Sequence, residues 1–91
     1  MKTVILDGSA LSDMEAVHTV FAEALGFPAW YGRNLDALYD CLTSLPEPVI
    51  VQLCNVEELG ETLGRRYDAL LRLLGDAAAA GSIQVEVSDE L

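Results

Sequence analysis

Between Phe27 and Leu42 the chain reads FPAWYGRNLDALYDCL, and this string holds the residues best able to do chemistry. Asn34 can cap a helix whose first turn carries Asp36, where the helix dipole favours an anion. At about 100° per residue, Asp36, Tyr39, Asp40 and Thr43 share one helix face, roughly opposite an apolar stripe of Leu35, Leu38, Cys41 and Leu42. Like charges at i and i+4 cost a helix about 0.2–0.5 kcal/mol, and such a cost at a surface invites a functional reason. Tyr39 is expected as an exposed aromatic between the two carboxylates. Trp30 and Tyr31 lie just upstream, on a loop from Gly26 to Gly32, and both residue types are favoured interface anchors. Together these residues describe a surface for a cationic partner. The plainer reading of the helix alone is a solvated acidic face with Tyr39 covering a neighbouring loop.

Other chemistry finds less support. No Ser-His-Asp or Cys-His set, Gly-rich phosphate loop or metal-ligand cluster is readable from the spacing, so neither a metal nor a cofactor is expected. Asp36 and Asp40 could serve as acid and base, yet an exposed convex helix supplies no pocket to raise one pKa. His18 falls within an amphipathic helical pattern with no second His or Cys to join it, which favours a structural role. Cys41 and Cys54 each sit in an apolar run, where a buried reduced thiol is the commoner state. Gly32 reads as a position needing an unusual backbone angle or a close approach. Arg65, Arg66 and Asp76 read as solvated charges on a later helix.

The elements that position these residues follow from periodicity. Thr3 to Leu6 reads as a buried strand ended by Asp7 and Gly8, and Ser12 to Glu15 has the form of a capping box opening a helix. Met14, Val17, Phe21 and Leu25 continue that helix until Gly26 caps it and Pro28 blocks its resumption. The second helix ends near Ser44. After Pro46 and Pro48, VIVQLC reads as the central strand, followed by a helical turn through Glu57 to Leu63. A longer helix spans Arg65 to Ala80, with Leu70, Leu71, Leu73, Leu74 and Ala77 at helical spacing and Gly81 as its cap. Ile83, Val85 and Val87 alternate with polar residues as a last, edge strand. The order β, α, α, β, α, α, β predicts an α/β fold, a three-stranded parallel sheet packed by about four helices.

With 91 residues, 52% of them hydrophobic, and a mean hydropathy of +0.30, the chain suits one domain over 1–91. Fifteen acids against five Lys and Arg give a net charge of −10, which argues against nucleic acid or an anionic membrane as partner and for a basic protein. Between Asn34 and Gly64 there are six acids and no Lys or Arg, so the negative potential is concentrated. The apolar run at the N-terminus is far short of a signal peptide and no run could span a bilayer, so a cytoplasmic location is expected.

The string YGRNLDALYDCLT, Tyr31 to Thr43, resembles the barstar family of intracellular ribonuclease inhibitors. A weaker likeness runs through the first strand, the LDG turn, His18, the Pro-bounded middle strand and the AAAAG helix end. The resemblance implies the three-stranded parallel sheet already expected. It also implies that the loop and second helix enter the active-site cleft of a basic, secreted ribonuclease of the barnase type, as a monomer in a 1:1 complex. Asp40 would stand in for an RNA phosphate, and Asp36 would pair with further cationic groups. Trp30 would stack at the cleft, Asn34, Tyr39 and Thr43 would complete the central contact with Tyr31 and Gly32, and Asp76 would add a peripheral charge. Charge-steered association with an aspartate hot spot is a known property of the family this string resembles.

Three positions depart from the pattern: Arg33 is basic where an acid is familiar, Ala80 lacks a charge, and Leu45 replaces an aromatic. An Arg facing a basic cleft would be repulsive unless the partner supplies a carboxylate there. Three readings therefore stand at this point: an inhibitor of a basic microbial ribonuclease, a barstar-like module with a non-ribonuclease basic partner, and an acid-base enzyme using Asp36 and Asp40.

Overall fold

A computed structural model describes residues 2–88, so the extreme ends of the expected domain lie outside the described residues. Strand β1 (Thr3–Asp7) leads to helices α1 (Met14–Leu25) and α2 (Leu35–Thr43). Strand β2 (Val49–Cys54) follows, then α3 (Val56–Leu63), α4 (Arg65–Ala79) and strand β3 (Ile83–Ser88). The sheet is parallel with order β1-β2-β3, so the α/β expectation holds and β2 is central as its β-branched run suggested. Both crossovers step in the same direction, and right-handedness therefore lays all the helices on one face of the sheet.

Burial follows that arrangement. Val4 and Leu6 of β1 align with Val51 and Leu53 of β2, and all four are buried beneath the helices. Phe21, Leu38, Leu42, Leu70 and Leu74 complete the core from the helical side with no exposure above 1%. The register carries on to Val85 and Val87 of β3, yet these are exposed and only Ile83 of that strand is buried. The alternation expected for β3 is present, but the helices cover only the start of this edge strand. Leu71 also departs from the expected α4 stripe and is exposed; Leu70, Leu73, Leu74 and Ala77 are the buried set.

Local chemistry explains the element ends. The α1 cap is Asp13, not Ser12: the Asp13 carboxylate accepts from the Ala16 backbone N–H at 2.9 Å, three residues on. Both residue types suit that role. Gly26 ends α1 in the left-handed region at φ 66°, as expected. At the turn after β1, Gly8 is required by space: a Cβ there would lie 2.2 Å from the Asn55 carbonyl and 2.6 Å from the Leu59 nitrogen. Asn55 Nδ2 and the Ser9 hydroxyl and backbone N–H all donate to Asp7, and these bonds hold its carboxyl below the usual range. Among the described residues no helix is long and apolar enough to cross a membrane.

Candidate partner-binding site

Helix α2 is sharply two-sided. Leu38 and Leu42 are fully buried, while Asp36, Asp40 and Thr43 on the opposite side are exposed. Tyr39 differs from the expected exposed aromatic: it is half-buried, its ring resting on the core and its edge left at the surface. Asn34 caps the helix as its position suggested, accepting from the Ala37 N–H at 2.8 Å. At the other end the Thr43 hydroxyl donates to the Tyr39 carbonyl at 2.8 Å, and the Ser44 hydroxyl donates to the Asp40 carbonyl at 2.7 Å. The helix is thus closed at both ends by side-chain hydrogen bonds. Neither they nor Asp76 form an ion pair among the described residues.

Two shallow depressions flank this helix. Phe27, Pro28, Trp30, Asp40, Cys41 and Leu45 line one; Leu35, Asp36, Tyr39, Arg72, Leu73 and Asp76 line the other, between α2 and α4. The fold therefore brings Asp76 to Asp36 and Tyr39 across forty residues of chain, and Trp30 to Asp40 across ten. Trp30 is 83% exposed, far more than any other large apolar side chain described. A rigid indole held that open is unsupported by the core and suits a contact made with another molecule. Asp36 and Asp40 open into different depressions, so they do not converge on one reacting atom.

Tyr31 does not join Trp30 at the surface. It is 7% exposed, packs edge-on against Phe27 with ring centroids 4.9 Å apart, and its hydroxyl lies 2.6 Å from His18 Nδ1. It lies beneath the loop, in which Ala29, Trp30 and Gly32 are exposed. Assigning the Tyr31 hydroxyl as donor puts the imidazole proton on Nε2. Burial, with a smaller contribution from the nearby Arg33 charge, pushes the His18 pKa below its ordinary 6.5, and burial pushes the Tyr31 phenol up to about 12. Both groups are neutral at physiological pH. His18 is structural, as the sequence suggested, and its partner is the residue expected as an anchor.

The loop has a second tether. Arg33 adopts the left-handed conformation at φ 53° and turns back onto α1, where it pairs with the Glu15 carboxylate and donates to the Thr19 hydroxyl and, at 3.0 Å, to the Glu15 carbonyl. Its charge is therefore matched within the chain. Gly32, just before it, is a close approach: a Cβ there would sit 3.1 Å from Asn34 Nδ2, crowding the cap. Among the described residues there is no group of three or more His, Cys, Asp or Glu able to hold a metal, and both cysteines are free.

Against this geometry, the sequence matches the family described as barstar, the barnase inhibitor, over residues 1–88. The chain belongs to the barstar family. A protein of Bacillus subtilis (strain 168), YrdF, named as a candidate ribonuclease inhibitor, is 37% identical over 91 residues, covering 99% of this chain and 93% of its own length. The barstar match spans β1 to β3, so the acidic face of α2 and its tethers lie wholly inside it. Two features of this barstar-family chain escape a reading of its sequence: the His18 and Tyr31 pair and the Arg33, Glu15 and Thr19 cluster. The contacts bridge 13 to 18 residues, beyond any local spacing rule. The one available signal is Arg33 itself, a cation isolated among acids.

Proposed function

We propose that the chain inhibits a basic, secreted ribonuclease of the barnase type by entering its active-site cleft, with the Asp40 carboxylate taking the place of an RNA phosphate. The observation that carries this is the α2 face, where Asp36 and Asp40 stand one turn apart, exposed and in no ion pair among the described residues, beside an open Trp30. Exposed carboxylates on a capped helix, in no ion pair among the described residues, suit a cleft lined with Arg, Lys and His. Asp36 meets further cations with Asp76 at the periphery, and Tyr39, Asn34, Gly32 and Thr43 supply the centre of the contact. Tyr31 acts from beneath, positioning Trp30. Family membership and the name of the Bacillus subtilis relative support an inhibitor rather than an enzyme. The inhibitor acts in the cytoplasm as a monomer in a 1:1 complex, which leaves the α2 face free until the nuclease is met. Asp40→Ala tests this reading, because it should weaken inhibition by roughly thirtyfold or more while leaving the fold intact.

A second reading, a barstar-like module for a basic partner that is not a nuclease, draws on Leu45. It is half-buried in the depression shared by Trp30 and Asp40, where the family resemblance implies an aromatic. Recovery of a non-nuclease on an affinity column, with no ribonuclease inhibited, would favour that module.

A further inference from the structure

The two depressions beside α2 hold different charges. The one shared by Trp30 and Asp40 contains a single carboxylate and no Lys or Arg. The other, about 220 Å³ between α2 and α4, contains the carboxylates of Asp36 and Asp76 together with the guanidinium of Arg72. Ala69, Arg72, Leu73 and Asp76 recur at helical spacing along α4 and line this depression as one stripe. Leu73 is buried, whereas Arg72 and Asp76, one turn apart, are both exposed. Arg72 forms no ion pair among the described residues, so it is committed to neither carboxylate. The other basic residues lie elsewhere: Lys2 reaches the Ala24 carbonyl, Arg33 pairs with Glu15, and Arg65 and Arg66 stand in the first turn of α4. Asp68, one turn before Arg72, is exposed outside the depression.

Formal charge sets what each depression can take. Asp40 alone gives −1 beside Trp30, and two carboxylates against one guanidinium also leave −1 between α2 and α4. Without Arg72 the second depression would be the stronger attractor, because Asp36 and Asp76 would act together on a cation entering between them. With Arg72 in place, a first cation finds one uncompensated carboxylate and a second meets a like charge. We infer that Arg72 is a specificity-determining residue of the interface, which limits the depression between α2 and α4 to one cationic side chain of the partner. A ribonuclease presenting one Lys or Arg there is accepted, and one presenting a pair is penalised, so Arg72 separates basic enzymes of similar net charge. This inference rests on the proposed inhibitor reading and adds to it the number of cations that the partner brings to Asp36 and Asp76.

The test compares wild type with Arg72→Gln, and with Arg65→Gln as a control that removes the same charge from an exposed position outside the depression. Binding kinetics are measured against a panel of basic ribonucleases at low and moderate salt. Arg72→Gln should tighten binding to the enzyme that the wild type inhibits best by about 2- to 5-fold, mostly through the association rate and less at the higher salt. The gain should be larger for enzymes that the wild type inhibits poorly, so that the spread across the panel narrows, and Arg65→Gln should gain less than about twofold. Unchanged or weaker binding by Arg72→Gln, while Asp40→Ala is impaired, would overturn the role of Arg72 alone. A uniform gain across the panel, or an equal gain from Arg65→Gln, would overturn it too, because either is the mark of net charge rather than of this depression. If the wild type inhibits no ribonuclease, the inhibitor reading fails and takes the inference with it.

Discussion

Tyr31→Phe isolates one atom of the scaffold beneath the binding loop. The substitution keeps the ring, and with it the edge-on contacts to Phe27 at 4.9 Å and to His18 at 5.6 Å, but deletes the hydroxyl that meets His18 Nδ1 at 2.6 Å. His18 is 4% exposed, so the bared nitrogen has little access to water as a replacement. Leaving a buried polar atom unsatisfied costs about 1–3 kcal/mol, and no cavity is created to add to it. For a domain of this size, a cost near 2 kcal/mol lowers the melting temperature by about 8–16 °C. Urea denaturation of wild type and variant, with equal m-values, measures it. A difference below about 0.5 kcal/mol would refute the assignment of this hydrogen bond as a tether, because that is the range of a neutral surface change. If the loop loosens, affinity for the partner should fall as well, though Tyr31 makes no exposed contact itself.

Three further outcomes follow from the same structure. Because the His18 pKa is lowered in the folded state, its contribution to stability is complete above its unfolded value of 6.5 and is lost as pH falls below it; the raised pKa of Tyr31 gives the mirror effect, with stability lost from pH 10 upward towards 12. Urea melts between pH 4.5 and 11 should show both limbs, and His18→Gln or Tyr31→Phe should flatten the corresponding limb. Gly8→Ala should destabilise by about 1–3 kcal/mol or prevent folding, since its Cβ meets backbone atoms at 2.2 and 2.6 Å that cannot yield as a side chain would; a melting temperature equal to wild type would contradict the close approach. Trp30→Ala should leave stability within about 0.5 kcal/mol yet weaken partner binding by about 2 kcal/mol or more, a separation that calorimetry and inhibition assays read independently.

The element order and the two-sidedness of α2 were legible because they are local. Leu38 and Leu42 against Asp36 and Asp40 is a helical period, and VIVQLC is a β-branched run typical of a buried central strand. The errors all arise where packing between distant segments decides. Tyr31 and Trp30 are adjacent aromatics in one loop, and nothing in their spacing says that one meets His18 and the other meets solvent. Arg33 reads as a charge facing the partner until α1 supplies Glu15 and Thr19 beside it. Val85 and Val87 keep the period of a buried strand, but the extent of the helical layer over β3 is a property of the whole fold.

The central claim is that the Asp40 carboxylate occupies a nuclease active site, and it is met most directly by inhibition assays on a panel of basic microbial ribonucleases, wild type beside Asp40→Ala, at low and moderate salt. The predicted result is tight, salt-sensitive inhibition of at least one enzyme that falls by roughly thirtyfold or more in the variant, the threshold of an interface hot spot, a property already known for the barstar family. Inhibition of the same enzyme by Asp40→Ala at undiminished strength would contradict the phosphate mimic.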